Sequence, residues 1–305
     1  MRVLITTSSF SAEGFPKGWE LVKNPYRRKL TEQEQIELYK RWKPVGVIAG
    51  VEPLTEKVIE TAKKNGLKVI SRCGVGTDTV DLNAAKRLKI PVLTTPDAPV
   101  QSVAELTVAL LFAACRNIVS QNNGIKSGNW KGNSGVLIGG KTVGIVGCGK
   151  IGTAVASILQ AAGCQLIGYD PVLKEHRYCN LVSMKELAEK SDVVTLHLPY
   201  MPQTHHIINR EFLQNMKQES IIINCARGGL LDEEALCQML SEGKFRAAAL
   251  DCFEKEPYDG KLKEFDRVIL SPHAGSSAKE GRKRMEEEAR DNLIQELERR
   301  TADEL

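Results

Sequence analysis

Nothing in the sequence resembles an export signal or a membrane span. The longest strongly apolar stretch, residues 103–115, falls well short of the roughly 18 residues that a membrane-spanning helix needs. The N-terminus begins with a strand-like run at residues 3–5 and has no cationic region followed by an apolar one. The eight cysteines are scattered singly, without a Cys-x-x-Cys pair, so we expect reduced thiols instead of a disulfide framework or a zinc finger. We therefore expect a cytoplasmic protein with no membrane partner.

An excess of charge of one sign is also missing. The 42 Lys and Arg residues against 38 Asp and Glu leave a net charge of +4, too mild and too evenly spread to indicate nucleic-acid binding. His176, His205 and His206 lack a metal-like set of partners, so we predict no metal site. Hydrophobic residues make up 42% and charged residues 26%, a balance that argues against a disordered chain. At about 150 residues per domain, the 305 residues predict two domains.

Short apolar runs alternate with longer helical patterns along the chain. The predicted strands cover residues 3–5, 45–49, 69–71, 92–93, 142–146, 165–169, 193–196, 221–224, 247–250 and 268–270. The predicted helices cover residues 32–40, 56–64, 82–88, 103–118, 151–162, 184–189, 210–215, 233–241 and about 278–299. This alternation predicts an α/β fold with parallel sheets covered by helices on both faces. Pro96 and Pro99 break regular structure and indicate a domain boundary near residue 98.

A predicted strand runs directly into a Gly-x-Gly-x-x-Gly motif and then into an apolar helix. Gly147 permits a tight turn, Gly149 lets the backbone approach a pyrophosphate, and Gly152 allows close packing of helix on strand. The next predicted strand ends in Asp170, where a ribose-binding acid is expected and where a carboxylate favours NAD over NADP. The alternative is a tight glycine turn followed by a surface aspartate.

Three ionisable residues follow later predicted strands, namely Arg227, Glu256 and His273. Ligands of open α/β sheets bind outside the carboxyl ends of the strands, so these side chains can converge beside a bound nicotinamide. Arginine offers a planar fork to a carboxylate, and histidine exchanges a proton near neutral pH. Each residue also has a plainer interpretation, as a surface charge or a loop residue.

Several motifs, in this order, carry a resemblance to a known family. They lie at residues 71–81, 103–107, 143–152, 197–199 (His-Leu-Pro), 224–229 (Asn-Cys-Ala-Arg-Gly-Gly), 249–253 and 271–273 (Ser-Pro-His). With these motifs the chain resembles the D-isomer-specific 2-hydroxyacid dehydrogenases, in their D-3-phosphoglycerate dehydrogenase-like branch. The resemblance covers nearly the whole chain.

The resemblance implies two Rossmann-like or flavodoxin-like parallel-sheet domains with the active site in the cleft between them. A discontinuous substrate domain would comprise residues 1–99 and 278–305, and an NAD-binding Rossmann domain would comprise residues 100–277. The family is usually homodimeric through the NAD-binding domain, with the helix at 103–118 and an arm at 121–139 in the interface. Trp130 in that arm is expected to anchor the partner or to pack locally.

The resemblance also implies residue roles in a hydride transfer between C2 of a D-2-hydroxy or 2-oxo acid and the nicotinamide. His273 would be the acid–base residue, Glu256 would orient it, and Arg227 would hold the substrate carboxylate. Arg72 and the backbone amides of Val75 and Gly76 would add substrate contacts, although a plain turn at the two amides is the alternative. The residues expected to contact NAD are Gly147, Gly149, Lys150, Ile151, Gly152, Asp170, Thr107, Pro199, Thr204, Cys225, Ala226, Asp251, His273 and Gly275. His197 is expected to be a loop contact.

The identity of the small anionic substrate is less well defined. Phosphoglycerate-oxidising relatives, which act in serine biosynthesis, tend to carry an arginine where this chain has Ala49. Arg27, Arg28 or Lys29 could supply the missing phosphate contact, or these three cations could be a solvated loop. A reductase for glyoxylate, hydroxypyruvate or another 2-oxo acid is the enzymatic alternative. The non-enzymatic alternative, a more remote one, is a binding protein that senses NAD without catalysing a reaction.

Overall fold

Twelve strands and ten α-helices form within the part of the chain that the computed structural model describes, residues 1–7 and 10–302. The strands are β1 (Arg2–Ile5), β2 (Glu20–Lys23), β3 (Gly46–Ala49), β4 (Val69–Arg72), β5 (Val92–Leu93), β6 (Thr142–Val146), β7 (Gln165–Tyr169), β8 (Asn180–Leu181), β9 (Val193–Leu196), β10 (Ser220–Asn224), β11 (Phe245–Leu250) and β12 (Val268–Leu270). The helices are α1 (Glu32–Trp42), α2 (Glu56–Lys64), α3 (Leu82–Arg87), α4 (Val100–Cys115), α5 (Ile118–Lys126), α6 (Lys150–Ala161), α7 (Met184–Lys190), α8 (Arg210–Asn215), α9 (Glu233–Ser241) and α10 (Lys279–Ala302).

The chain divides into two structural units. The first contains Met1–Pro99 together with Ala278–Leu305, and the second contains Val100–Ser277. Each unit is built on its own parallel sheet. The predicted α/β fold with two parallel sheets is therefore confirmed.

The first unit has a five-stranded sheet in the order β2-β1-β3-β4-β5, the order of flavodoxin-like folds. Helix α10 covers this sheet with the buried side chains of Leu293 and Leu297. An ideal Cβ placed on Gly46 of β3 would lie 3.0 Å from a methyl carbon of each leucine. Glycine at position 46 therefore lets the helix approach the sheet closely.

The second unit has a seven-stranded sheet in the order β12-β11-β10-β9-β6-β7-β8. Counted within this unit alone, the order is that of the dinucleotide-binding Rossmann fold with one further strand. The central strands β9 and β10 are buried along their whole length because helices pack on both faces. Two clusters of buried apolar side chains, one on each face, form the core of this unit.

The structure departs from the predicted elements at three places. The edge strands β2 and β8 were not predicted, because β2 mixes charged with apolar residues and β8 has only two residues. The predicted helix at 103–118 is instead α4, which ends at Cys115, followed by α5. The helix breaks because Asn117 adopts a left-handed conformation with φ 53°, which ends one helix and starts the next. Part of the predicted arm at 121–139 is therefore helical.

No single helix within residues 1–7 and 10–302 has the length and apolarity that a membrane crossing requires. Helices α4 and α5 meet the criterion only as a pair, and they are bent by 64° relative to each other.

Packing of α10 on the first sheet predicts a large loss of stability when its buried leucine is truncated. We expect Leu293→Ala to lower the free energy of unfolding by about 2–5 kcal/mol, because Leu293 is fully buried and its removal leaves a cavity. The matched control is Gln295→Ala on the exposed face of the same helix, which should change stability by less than about 0.5 kcal/mol. Equal unfolding midpoints for the two variants in chemical denaturation would contradict this packing.

Candidate cofactor and active site

The carboxyl ends of six strands in the second unit lie along one edge of its sheet. Pairing places Val146 beside Tyr169 and Leu196, and it places Asn224 beside Leu196 and Leu250. Leu250 in turn pairs with Leu270. The segments that follow β6, β7, β9, β10, β11 and β12 therefore emerge side by side, where ligands of such sheets bind.

The glycine turn after β6 has the backbone geometry that a dinucleotide requires. Gly147 has φ +99°, and an ideal Cβ there would lie 2.6 Å from backbone atoms of residues 197 and 198. A Cβ on Gly152 would lie 2.1 Å from the Gly147 carbonyl oxygen, so only glycine allows α6 this close to β6. A Cβ on Gly149, by contrast, would meet nothing within 4 Å. The turn thus leaves open space at the N-terminus of α6, where a pyrophosphate can approach free N–H groups.

Asp170 lies directly after β7 with its carboxylate held by backbone donors. Its Oδ2 accepts a hydrogen bond of 2.9 Å from Cys148 N, and its Oδ1 accepts bonds of 2.9 and 3.1 Å from Val172 N and Leu173 N. Partial burial alone would raise the pKa of Asp170, but these N–H groups outweigh burial and lower it. The carboxylate is therefore ionised near neutral pH and links the end of β7 to the glycine turn.

The loop after β12 is fixed by a buried aspartate at the end of β11. Asp251 is fully buried, and its Oδ1 accepts hydrogen bonds from Ser271 Oγ at 2.5 Å and Ala274 N at 2.8 Å. Its Oδ2 accepts a third bond of 2.8 Å from Gly275 N. The visible role of Asp251 is thus to position the 271–275 loop.

His273 and Glu256 are in direct contact on this loop edge. The His273 Nδ1 lies 2.9 and 3.0 Å from the two carboxylate oxygens of Glu256. Both side chains are partly exposed. Glu256 Oε1 also accepts a hydrogen bond of 3.1 Å from Phe253 N, which fixes the carboxylate. Since Nδ1 faces Glu256, Nε2 is the ring nitrogen that can reach a ligand.

Arg227 lies on the turn after β10, beside the same pair. The fully buried Asn224 shapes this turn, because its Nδ2 donates to the Arg227 carbonyl oxygen and its Oδ1 accepts from Ala226 N. The Arg227 guanidinium donates a bond of 2.7 Å to the Ala226 carbonyl oxygen. Cys252 Sγ donates to the same oxygen. It also lies within 4.8 Å of a carboxylate oxygen of Glu256 and a ring nitrogen of His273.

The sequence prediction missed Cys252, which is the side chain that joins the Arg227 turn to the His273–Glu256 pair. Burial raises the pKa of its thiol, so the thiol is neutral and acts as a small packing residue. Only its position directly after Asp251, in the 249–253 motif, could have pointed to this place in the site.

The remaining predicted cofactor residues lie on the same edge with different exposures. Thr107 is buried and donates to the Val103 carbonyl oxygen, and Thr204 is buried and donates to the carbonyl oxygen of the exposed Pro199. Cys225 is buried too, and burial raises its pKa to about 12. Lys150 is exposed at the start of α6, and Ile151 and Ala226 are half-buried.

His197 directly follows β9, and its imidazole is neutral. Burial lowers its pKa to about 3. Its Nε2 lies 3.0 Å from Thr195 Oγ1, whereas its buried Nδ1 has no hydrogen-bond partner among the described residues. A neutral ring with one unpaired nitrogen fits a loop contact better than a second acid–base group.

The predicted substrate residues of the first unit follow β4. Arg72 is buried, with only 7% of its surface exposed, and its guanidinium donates a bond of 3.0 Å to the Cys73 carbonyl oxygen. Val75 is exposed and Gly76 half-exposed on the turn beyond it. Ala49, at the end of β3, pairs directly with Arg72 and is fully buried.

The cations before α1 are held by local contacts. Thr31 and Glu34 form a capping box, in which each side chain is bonded to the other residue's backbone. Arg28 donates bonds of 3.0 and 2.6 Å to the two oxygens of Glu34. This ion pair and the bond from Thr31 lower the pKa of Glu34 to about 2. The Arg28 guanidinium is therefore already bound to a carboxylate.

The geometry of the second unit fits a bound NAD. The glycine turn leaves space where a pyrophosphate binds, and an ionised carboxylate lies at the strand end where ribose hydroxyls are bound. The acid would also repel a 2′-phosphate.

Comparisons with known proteins identify the family. The family profile described as D-isomer specific 2-hydroxyacid dehydrogenase, NAD binding domain, matches residues 108–275. The D-3-phosphoglycerate dehydrogenase of Methanocaldococcus jannaschii is 46% identical over 83% of this chain and 49% of its own length. The hydroxypyruvate reductase of Thermotoga maritima is 40% identical over 82% of this chain and 84% of its own length. A solved structure of a Thermus thermophilus protein superimposes with a TM-score of 0.88 at 36% identity, covering 98% of this chain and 97% of that one.

The chain belongs to the D-isomer specific 2-hydroxyacid dehydrogenase family, and residues 108–275 are its NAD-binding domain. This confirms the family and the cofactor predicted from the motifs. The chain spans about half the length of the first curated relatives that it matches, with 49% and 46% of two D-3-phosphoglycerate dehydrogenases covered.

The open space at Gly149 generates a prediction that separates folding from ligand binding. Gly149→Ala should leave the unfolding midpoint unchanged, because the new Cβ meets no protein atom within 4 Å. The variant should nevertheless bind NADH about tenfold more weakly or worse, because the methyl group enters the space of the pyrophosphate. Fluorescence titration with NADH measures this, with Gly132→Ala, also free of contacts, as the control. Wild-type affinity in Gly149→Ala would contradict this placement of the pyrophosphate.

Asp170 should determine the preference for NADH over NADPH. Asp170→Ala removes the acceptor for ribose hydroxyls, so we expect about tenfold weaker NADH binding and a smaller NADH-to-NADPH affinity ratio. The exposed Asp266→Ala is the matched control. Because the pKa of Asp170 is lowered, the wild-type preference should persist across neutral pH and decline only as pH falls through that lowered value. An unchanged NADH-to-NADPH affinity ratio in Asp170→Ala would show that Asp170 does not determine the cofactor preference.

Proposed function

We propose that this chain is an NAD-dependent oxidoreductase that interconverts a D-2-hydroxy acid and the corresponding 2-oxo acid. The observation that carries the proposal is the contact of His273 with Glu256, on the same sheet edge as the glycine turn and Asp170. A side chain that can exchange a proton and a turn that can bind a nucleotide, on one edge of a sheet, are what such a reaction requires. Membership of the dehydrogenase family supports it.

His273 is proposed as the acid–base residue. NAD, when bound, supplies the hydride acceptor or donor for C2 of the substrate. His273 Nε2 takes the proton from the substrate hydroxyl during oxidation and returns it to the carbonyl oxygen during reduction. Glu256 is a positioning residue, because its two oxygens hold Nδ1 and so fix the orientation of the ring. The left-handed backbone of His273, with φ 51°, is held by the bonds of Ala274 and Gly275 to Asp251.

Arg227 is proposed to bind the substrate carboxylate. Its planar guanidinium can offer parallel N–H donors to a carboxylate, and its bond to the Ala226 carbonyl oxygen restricts its orientation. The same positive charge stabilises negative charge that develops on the reacting oxygen. Arg72, Val75 and Gly76 of the first unit remain predicted substrate contacts.

3-Phosphoglycerate is the first candidate substrate, supported by the relative that is 46% identical and named D-3-phosphoglycerate dehydrogenase. Hydroxypyruvate is the second, and two observations favour it. Ala49 is buried and uncharged where phosphoglycerate-oxidising relatives tend to have arginine, and the Arg28 guanidinium is bound to Glu34. Fewer cations are then free to bind a phosphate.

The proposal also includes a homodimeric assembly and a cellular role. A homodimer through the NAD-binding domain is supported by exposed apolar side chains around α5, with Trp130 89% exposed. Sedimentation velocity tests it, and a monomer at micromolar concentration would refute it. A role in serine biosynthesis follows only if 3-phosphoglycerate is the substrate, and a cytoplasmic location remains a prediction.

The proposed role of His273 predicts a separation of turnover from cofactor binding. His273→Asn should lower kcat for NADH-dependent reduction of the active 2-oxo acid by about 10²–10⁴-fold, the usual contribution of a positioned acid–base group. NADH affinity should stay within about twofold, because the glycine turn and Asp170 are untouched. His205→Asn is the matched control and should keep wild-type kcat. Retained turnover in His273→Asn would exclude His273 as the proton carrier.

A substrate panel followed by NADH absorbance tests the activity itself. We expect measurable turnover with 3-phosphoglycerate in the oxidative direction or with hydroxypyruvate or glyoxylate in the reductive direction. The ratio of kcat/KM values for phosphorylated and unphosphorylated substrates decides between the two candidates. NADH binding without turnover of any 2-hydroxy or 2-oxo acid would refute the proposal and would favour an NAD-sensing binding protein.

A further inference from the structure

Two thiols lie side by side directly behind the glycine turn. Cys148 stands between Gly147 and Gly149, and Cys179 precedes β8. Both are buried, with 1% and 6% of their surfaces exposed. An ideal Cβ on Gly168 of β7 would lie 2.6 Å from Cys148 Sγ and 3.1 Å from the Cys179 Cβ, so glycine at position 168 makes room for the pair.

His176 lies beside the thiols, and together the three residues resemble a set of metal ligands. Their donor atoms lie within 4.8 Å of one another. The ring is already engaged, however. Its Nδ1 accepts from Tyr178 N at 3.3 Å and Cys179 N at 3.1 Å, so the hydrogen belongs on Nε2, which lies 2.9 Å from Thr153 Oγ1. Neither nitrogen has a lone pair directed to a metal, so the chemistry of this cluster belongs to the two thiols.

The two thiols are not equivalent. The Cys148 S–H group donates weakly to the carbonyl oxygens of Ile145 at 3.7 Å and Tyr169 at 3.9 Å. The neighbouring Cys179 and burial raise the pKa of Cys148, whereas the neighbouring Cys148 lowers the pKa of Cys179. Cys179 is therefore the more acidic of the two thiols, and Cys148 keeps its proton. The thiolate is the form that reacts with oxidants.

We propose that Cys148 and Cys179 form a reversible oxidation site, in which a peroxide converts the two neighbouring thiols into a disulfide that weakens NAD binding. The Cys179 sulfur attacks one peroxide oxygen, giving a sulfenic acid and one water. The Cys148 sulfur then displaces the sulfenic oxygen as a second water and forms the S–S bond. In sum, two thiols and one hydrogen peroxide give one disulfide and two waters, and a dithiol reductant reverses the change.

Closing the bond draws a residue of the dinucleotide turn toward Cys179. The two sulfurs have to come to about 2.0 Å from each other, and Cys148 belongs to the turn between Gly147 and Gly149, so a shift of its backbone displaces the turn. The same residue's N–H donates to Asp170 Oδ2 at 2.9 Å, so the movement also strains the contact that joins the turn to the ribose-binding acid. Loss of one hydrogen bond to a charged group corresponds to about a tenfold weaker affinity.

The test uses the intact reduced protein treated with a stoichiometric amount of hydrogen peroxide. We expect a mass decrease of about 2 Da from the two lost hydrogens, a Cys148–Cys179 cross-linked peptide, and about tenfold weaker NADH binding by fluorescence titration. Dithiothreitol should restore both the original mass and the original NADH affinity. NADH binding of the untreated protein is measured first, so a failure of cofactor binding is distinguished from a failure of this proposal.

Two variants separate the pair from other cysteines. Cys179→Ser should bind NADH normally when reduced and should neither cross-link nor lose affinity after peroxide. Cys237→Ser, which removes a half-buried thiol of α9, should respond like the wild type. A cross-link between other cysteines, no cross-link at all, or a Cys148–Cys179 disulfide with unchanged NADH affinity would overturn the proposal.

Discussion

The carboxylate of Asp251 is fully buried at the end of β11 and accepts three hydrogen bonds from the loop that carries His273. A buried charge is stable only when it is well hydrogen-bonded, so the loop and the carboxylate depend on each other. These bonds hold His273 in a left-handed conformation that a histidine rarely adopts. The position of the proposed acid–base residue therefore follows from one interaction beneath it.

Two other strand ends repeat this arrangement. Asn224, at the end of β10, uses both side-chain atoms to fold the Arg227 turn, and Asp170, after β7, holds the glycine turn through Cys148 N. In each case a short polar side chain at a strand end satisfies the backbone of a functional turn. Buried polar groups that are fully satisfied make a site rigid, and rigidity is what hydride transfer between two bound molecules requires.

The sequence predicted most of the second unit because its signals are local. A strand, three glycines at fixed spacing and an acid after the next strand specify the turn and Asp170 almost without tertiary information. The break between α4 and α5 was not predicted, because an asparagine can occur inside a helix and does not by itself indicate its end. The break follows from the left-handed backbone conformation of Asn117, which the structure shows. The contacts of Cys252, and of Cys148 with Cys179, depend on strands that are distant in sequence. Similarly, a count of cations in the sequence could not show that the Arg28 guanidinium is bound to the carboxylate of Glu34.

In the proposed reaction, the site transfers hydride directly between the nicotinamide and C2 of a 2-oxo acid. The most direct measurement uses NADH deuterated at C4 on the transferred face, together with the preferred 2-oxo acid, and detects the hydroxy-acid product by NMR. We predict deuterium at C2 of the product in the wild-type reaction and no product above background with His273→Asn. A product that carries solvent hydrogen at C2, or the absence of any hydroxy acid, would exclude direct hydride transfer at this site.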